Sequence, residues 1–364
     1  MTEWKTYRLG DVCSRLRSGK GIPASEVSAC GKFAVVGGNG VRGYTDKSNF
    51  NGQCVVVGRQ GAYCGNVRYF DGEFYMTEHA VVIVGNEYAD THFLAYLLSI
   101  MELGHLSAQS AQPGLSVQTL SKLEISLPSL EEQRRIAGIL GAIDDKIDNN
   151  RRINTNLELQ AQALFDKTFF EDKDVERNPL SDYANINPTR TLRQGVVARY
   201  IEMANLPTKG SFPSDWSYKS YGGGCKFANG DTIMARITPC LENGKTAYID
   251  FLEEQEVAFG STEYIVISAK SGYCPALFYF LARNKEFVDY AVGHMNGSSG
   301  RQRVGGVDIA NFPMPHITLE DSNKFAEVAM PIMDVIRNNS LENRQLATLR
   351  DTLLPKLMNE EIKL

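Results

Sequence analysis

The sequence predicts an α+β chain. It reads as two similar mixed α/β domains joined by two long antiparallel coiled-coil helices, with a pseudo-twofold axis relating the halves. Three observations predict this. A proline-free run from Arg134 to Phe169 places apolar residues at alternating steps of four and three, Ile136, Leu140, Ile143 and Ile147, then Leu157, Ala161 and Leu164. That spacing is the heptad seam of one helix packed on another. The seam recurs 189 positions later as Phe325, Ala329, Ile332, Ile336, Leu346 and Leu353. Finally, the order of strands and loops before the first rod is repeated between the rods.

Residues 1–128 form the first domain. Trp4 to Val12 reads as an edge strand and turn, and Phe33–Val36 and Cys54–Val57 as short buried strands leading into glycine-rich loops. Phe74 and Met76 with Ala80–Val84 predict a strand pair, and Asp90 or Thr91 caps a helix expected to run to Leu103. A polar loop from Ser107 to Gly114 precedes a strand ending at Leu127. The first rod, 129–172, starts where Pro128 stops that strand, Ser129 caps the first turn, and Glu131 and Glu132 face the positive helix end. Its run would span roughly 60 Å at the rise of an α-helix.

Residues 173–317 repeat the first domain. Gly230–Arg236 echoes Gly52–Arg59, Thr262-Glu263-Tyr264 falls on Thr77-Glu78-His79, and Ala276–Leu281 matches the helix at Phe93–Leu98. Asn296–Arg303 takes the place of the first polar loop. The second rod, 318–361, repeats even the polar steps of the seam, since Asn150 and Asn154 become Asn339 and Asn343. An asparagine inside a hydrophobic seam costs stability but fixes register and partner, so these four mark the layer where the rods lock together.

No apolar run reaches 18 residues, which argues against a membrane span and makes the cytoplasm the expected location. Seven cysteines without a Cys-x-x-Cys argue against a disulfide framework and a structural zinc site. Gly38–Gly43 matches G-x-G-x-x-G after a strand, but the following Tyr44–Gly52 has no helical period, so the helix terminus needed for a pyrophosphate is not expected. Asn187-Pro188-Thr189-Arg190 lacks the second proline and the aromatic of an amino-methyltransferase motif. Glu78-His79 has no second histidine at helical spacing, and no metal site is expected. We find no catalytic machinery.

The net charge of −5 conceals an uneven distribution. Arg8–Arg68 carries nine Lys/Arg against three Asp/Glu, and Arg190–Lys245 eight against four. Local basic faces beneath a neutral total suit DNA contact. Arg59, Gln60, Arg301, Gln302 and Arg303 offer groups able to read base edges, and Arg42, Lys47, Arg68, Lys219, Arg236 and Lys245 can neutralise phosphates. Arg17, Lys20, Tyr44, Tyr63, Gln109, Gln112, Ser298 and Ser299 lie in the same loops and complete the candidate set.

Leu127-Pro128-Ser129-Leu130-Glu131-Glu132-Gln133-Arg134-Arg135-Ile136-Ala137, followed by Ile143-Asp144-Asp145-Lys146-Ile147, resembles the central conserved region of type I restriction–modification DNA specificity subunits. The half-chain repeat and the Val35-Val36-Gly37-Gly38-Asn39-Gly40 core also fit. The second copy departs from the motif, with Asp321-Ser322 in place of Glu132-Gln133 and His316-Ile317 in place of Leu127-Pro128. The resemblance implies two target recognition domains, each reading one part of an interrupted double-stranded DNA sequence. It implies two modification subunits docked on the rods, carrying S-adenosylmethionine and methylating adenine, and restriction subunits using ATP and Mg as further partners. This chain would hold no cofactor. Two other readings stay open, a nucleotide-dependent enzyme using Gly38–Gly43 and an assembly scaffold indifferent to DNA sequence.

Overall fold

A computed structural model describes residues 4–107, 114–172, 174–298 and 300–362. Two compact units result, Met1–Lys146 with Leu346–Leu364, and Ile147–Gln345. Each of the two long helices contributes to both units.

The first unit contains β1 (Lys5–Arg8), β2 (Cys13–Ser18), β3 (Phe33–Gly37), β4 (Gly40–Thr45), β5 (Phe50–Gly58), β6 (Val67–Met76) and β7 (Ala80–Gly85). These are followed by α1 (Thr91–Ser99), α2 (Val117–Ser121), β8 (Glu124–Leu127) and the start of α3 (Leu130–Phe170). Six strands form one sheet in the order β2-β7-β5-β6-β3-β4. Val55, Val57, Val81 and Ile83 on one face share a core with Phe93, Leu94 and Leu98 of α1. Val36, Cys54, Val56, Met76 and Val82 on the other face make a second, smaller core. Two local expectations change. β6 and β7 do not pair with each other, because β5 lies between them and bonds to both. The helix capped by the Asp90 side chain ends at Ser99 rather than Leu103, and Glu102 turns left-handed with φ 48°.

The second unit repeats this plan in smaller sheets. It holds β9 (Arg177–Pro179), β10 (Ala184–Ile186), β11 (Val197–Ile201), β12 (Ser217–Ser220), β13 (Cys225–Phe227), β14 (Asp231–Ala235), β15 (Thr246–Tyr248), β16 (Ala258–Gly260) and β17 (Tyr264–Ala269). Then come α4 (Pro275–Arg283), α5 (Lys285–Gly293), α6 (Gly306–Ala310), β18 (Pro313–Pro315) and α7 (Leu319–Met358). The sheets are β10-β17-β14-β15, β12-β11-β16-β13 and β18-β9. The repeat reaches single hydrogen bonds. Leu9 N donates to Leu123 O at 2.8 Å, and Leu180 N to Phe312 O at 2.9 Å.

Each long helix starts on a side-chain cap and holds the domain helix beside it. Ser129 Oγ accepts from Glu132 N at 3.3 Å, and Thr318 Oγ1 from Asp321 N at 3.1 Å. One turn on, the buried Gln133 Oε1 accepts from Asp90 N at 2.9 Å, at the cap of α1. The buried Ser322 Oγ does the same for Cys274 N at 2.8 Å, at the cap of α4. Different side chains thus satisfy equivalent orphan donors at a helix start. The departure of the second copy from the Glu-Gln motif leaves this contact intact.

α3 and α7 pack on each other in each unit. In the first, Ile136, Ala137 and Leu140 share a core with Leu357 and Met358, joined by half-buried Leu353, while Asp144 pairs with Arg350 at 2.6 Å. In the second, Phe165 and Phe169 meet Phe325 at ring separations of 5.8 and 5.7 Å. Also in the second unit, Asn150 Nδ2 donates to Asn343 Oδ1 at 2.9 Å and to Glu342 Oε2 at 2.7 Å, and Asn339 Nδ2 donates to Asn154 Oδ1 at 2.8 Å. Partner numbers fall as residue numbers rise, so the pairing is antiparallel. Ile147 and Ile336 are buried, and Ile143, Leu157, Leu164, Ile332 and Leu346 half-buried. Asn150→Leu removes a donor from two polar partners in this layer. An asparagine costs stability relative to an apolar pair, but this single replacement leaves Asn343 and Glu342 short of a donor, so it is expected to destabilise the chain by about 1–3 kcal/mol, measured by urea unfolding; a more stable variant would show that the layer is not held by these bonds.

Candidate nucleic-acid interface

In both units the loop after a central strand is fixed by the same backbone bonds. β5 delivers Arg59, whose N donates to His79 O at 3.1 Å and whose carbonyl accepts from Leu115 N at 2.8 Å. β14 delivers Arg236, whose N donates to Glu263 O at 3.0 Å and whose carbonyl accepts from Val304 N at 3.0 Å. A bridge then ties Gln60 to Gly114, and another ties Ile237 to Arg303. Every non-proline residue carries a backbone donor and acceptor that must be paired when buried. With those groups spent on the frame, the side chains between the anchors are free to differ.

In the first unit, this frame brings Arg59, Gln60, Tyr63 and Arg68 onto one loop and strand start. Tyr63 is 52% exposed, Gln60 and Arg68 are exposed, and Arg59 is half-buried. The tip of the β3–β4 hairpin lies against them, so that Asn39 lines a concavity with Tyr63, Asn66, Arg68 and Glu102. Asn39, Asn66 and Glu102 add to the candidate set: a lone amide or acid in a turn carries neither a periodic pattern nor the basic charge that marks DNA contact. Arg42 and exposed Tyr44 lie two residues apart on β4, one edge of the sheet, and Arg17 lies on β2, the other edge, with Lys20 just beyond it. Gly38 and Asn39 form the turn of this hairpin, and a strand follows from Gly40. The G-x-G-x-x-G segment therefore opens no helix and lacks the amide cluster that a pyrophosphate requires.

In the second unit, Asn296 and Arg303 close a hairpin through two 2.9 Å backbone bonds, and exposed Ser298 and Arg301 occupy its turn. Gln302 O accepts from Thr238 N at 3.1 Å, which seats this hairpin on the loop after Arg236. Gln109, Gln112 and Ser299 lie outside the described residues.

Four candidate cations are already engaged within the chain. Arg303 forks onto Glu263, with Nε 2.9 and 2.8 Å from the two carboxylate oxygens and Nη2 2.7 Å from Oε1. That bond holds the Glu263 carboxyl below its usual range. The half-buried Lys245 donates to Met203 O at 2.7 Å. Arg303 spends its fork on Glu263 and Lys245 is held on the Met203 carbonyl, so both brace the loop frame. Lys47 pairs with Glu26 at 2.8 Å, and Lys219 with Glu202 at 2.5 Å while lying 4.2 Å from the centre of the Tyr200 ring. These two pairs are exposed and screened by solvent, so a phosphate can replace the partner. Arg17, Lys20, Arg42, Arg68 and Arg301 make no ion pair among the described residues. No group of His, Cys, Asp and Glu among the described residues could hold a metal ion. No helix among them is long and apolar enough to cross a membrane.

Comparison with known proteins gives a consistent result. Residues 1–159 match the model of the type I restriction modification DNA specificity domain. The EcoprrI type I restriction enzyme specificity subunit of Escherichia coli is 38% identical over 146 residues, 39% of this chain and 36% of its own length. The MjaIX specificity subunit of Methanocaldococcus jannaschii is 25% identical over 312 residues, 75% of this chain and 69% of that one. The matched segments thus span under half of the E. coli relative, and 40% of a type I specificity subunit from Mycoplasma pneumoniae. The crystal structure of a type I restriction–modification S subunit from M. genitalium superposes with a TM-score of 0.68 at 17% identity, covering 98% of this chain and 96% of that one. At that identity the likeness is one of fold.

Proposed function

We propose that this chain, whose residues 1–159 match the type I restriction modification DNA specificity domain and whose fold is that of an S subunit, has a non-catalytic role in choosing DNA sequence. Residues 1–128 and 173–317 each read one part of an interrupted target. The rods, 129–172 and 318–361, set the unread gap and dock two modification subunits, which carry S-adenosylmethionine and methylate adenine. Restriction subunits, with ATP and Mg, join the same assembly, and this chain holds no cofactor of its own.

The observation that carries this reading is the shared backbone frame around Arg59 and Arg236, which presents unlike side chains in the two units. Phosphate contacts position a reader, and base-edge contacts specify the sequence. A constant frame with variable loops separates those two tasks. The rods also leave apolar side chains on the surface, with Leu159 63% and Val335 42% exposed in the second unit and Leu349 47% in the first. Such residues suit a protein partner. The nucleotide-enzyme reading loses its support with the hairpin at Gly38–Asn39.

Adenine-methylation mapping in cells that hold the modification subunits tests the proposal. One interrupted motif is expected with this chain and none without it. A motif without a gap, or methylation independent of the chain, would overturn the reading.

A further inference from the structure

The concavity at the β3–β4 hairpin tip is built rather than incidental. Gly40, at φ +98°, carries no side chain, and the Arg68 guanidinium lies over it, 3.5 Å from where a Cβ would sit. Gly65, at φ +84°, brings its backbone so close to the end of the α1 connection that a Cβ would meet Gly104 N at 2.2 Å. That approach brings Arg68 and Glu102 to the lining of one concavity with Asn39 and the exposed Tyr63. No ion pair joins Arg68 or Glu102 to another described residue. Arg68 and Glu102, a source of forked donors and a carboxylate, therefore line the same shallow space without pairing with each other.

A guanine offers N7 and O6 acceptors in the major groove, and its cytosine partner offers the N4 amine. An arginine fork matches the first and a carboxylate the second, whereas an A·T pair presents its donor and acceptor on other atoms. We propose that this cradle reads one G·C pair by its major-groove edge, with Arg68 on guanine, Glu102 on the cytosine amine and Tyr63 packed on the neighbouring nucleotide. The proposal rests on the recognition role given above and narrows it to named residues and one base pair. A carboxylate facing a phosphate would be repelled, so Glu102 is what separates a base reader from a backbone clamp at this site.

The test is methylation mapping with wild-type chain, Arg68→Ala and Glu102→Gln, each with the modification subunits. Both variants are expected to relax one and the same G·C position in one half of the motif. Discrimination there should fall roughly 10- to 100-fold while the other half is unchanged. An unaltered motif in both variants, relaxation at an A·T position, or a uniform loss of methylation at every site by variants that melt like wild type would overturn the cradle and leave the recognition role standing. A wild-type chain that yields no interrupted motif would remove both. Glu102→Gln keeps the shape of an exposed side chain, so the comparison survives even if Arg68→Ala misfolds.

Discussion

Phe165→Ala is expected to destabilise the second unit by about 3–5 kcal/mol. Phe165 is fully buried, and its ring lies 5.4 Å from that of Phe169, 5.5 Å from Phe170, 6.3 Å from Phe280 and 5.8 Å from Phe325. One side chain therefore joins α3, α4 and α7, and its loss opens a cavity between three elements that cannot all collapse to fill it. Aromatic pairs in offset and edge-to-face geometry add about 0.5–1.5 kcal/mol each beyond the buried area, so the upper part of the range is expected. The chain carries two tryptophans, Trp4 in the first unit and Trp216 in the second. In a Trp4→Phe background, the fluorescence of Trp216 reports on the second unit during urea unfolding. Leu159→Ala on the exposed face of the same helix should fall within about 0.5 kcal/mol of wild type. A loss below 1 kcal/mol at Phe165 would mean that the aromatic cluster does not hold α7 onto α3.

The rods were legible because a seam is a local pattern written twice. Every seam residue read from spacing, from Ile136 to Leu353, is buried or half-buried. Toward its end α3 also meets a third element. Spacing selects the buried Ala161 and the half-buried Leu164 there, but not Phe165 and Phe169, which are buried against Phe325 of α7, with Phe165 also against Phe280 of α4. A straight helix drifts against a seven-residue repeat, and a contact with a third element follows the drift. The loops were legible in place but not in role. Arg301 and Arg303 look alike in sequence, yet only Arg303 has Glu263 beside it, a residue 40 positions away. Lys245 reads as a surface cation until the carbonyl of Met203, 42 positions earlier, is found on its ammonium. Asn39 went unread for the same reason, since what gives it meaning is Arg68 arriving from another strand. Long-range pairing decides which charges remain available, and composition along the chain does not contain it.

Exchange of residues 1–128 for the corresponding domain of a related specificity subunit is expected to replace one half of the DNA target and leave the other half and the gap intact. Preference for the old half-site should drop by about 10³-fold or more, the usual margin between specific and non-specific binding. The joint at Pro128 is suited to this because few polar groups cross it. Gln133 Nε2 donates to Pro128 O at 3.0 Å and Tyr88 O at 2.9 Å, while its Oε1 takes Asp90 N. All three partner atoms belong to the backbone, so an incoming domain of the same fold supplies them whatever its sequence. The exception in side-chain chemistry is Tyr96, whose hydroxyl donates to Asp144 Oδ2 at 2.6 Å beside the Asp144–Arg350 pair. A donor domain with Phe at that position leaves a half-buried carboxylate short of one bond, and the exchange should then be made with Tyr restored. Methylation mapping reads the outcome directly. Change in both halves, or a shifted gap, would contradict the assignment of one half-site to each domain, because the frame around Arg236 and the seam between α3 and α7 are untouched by the exchange.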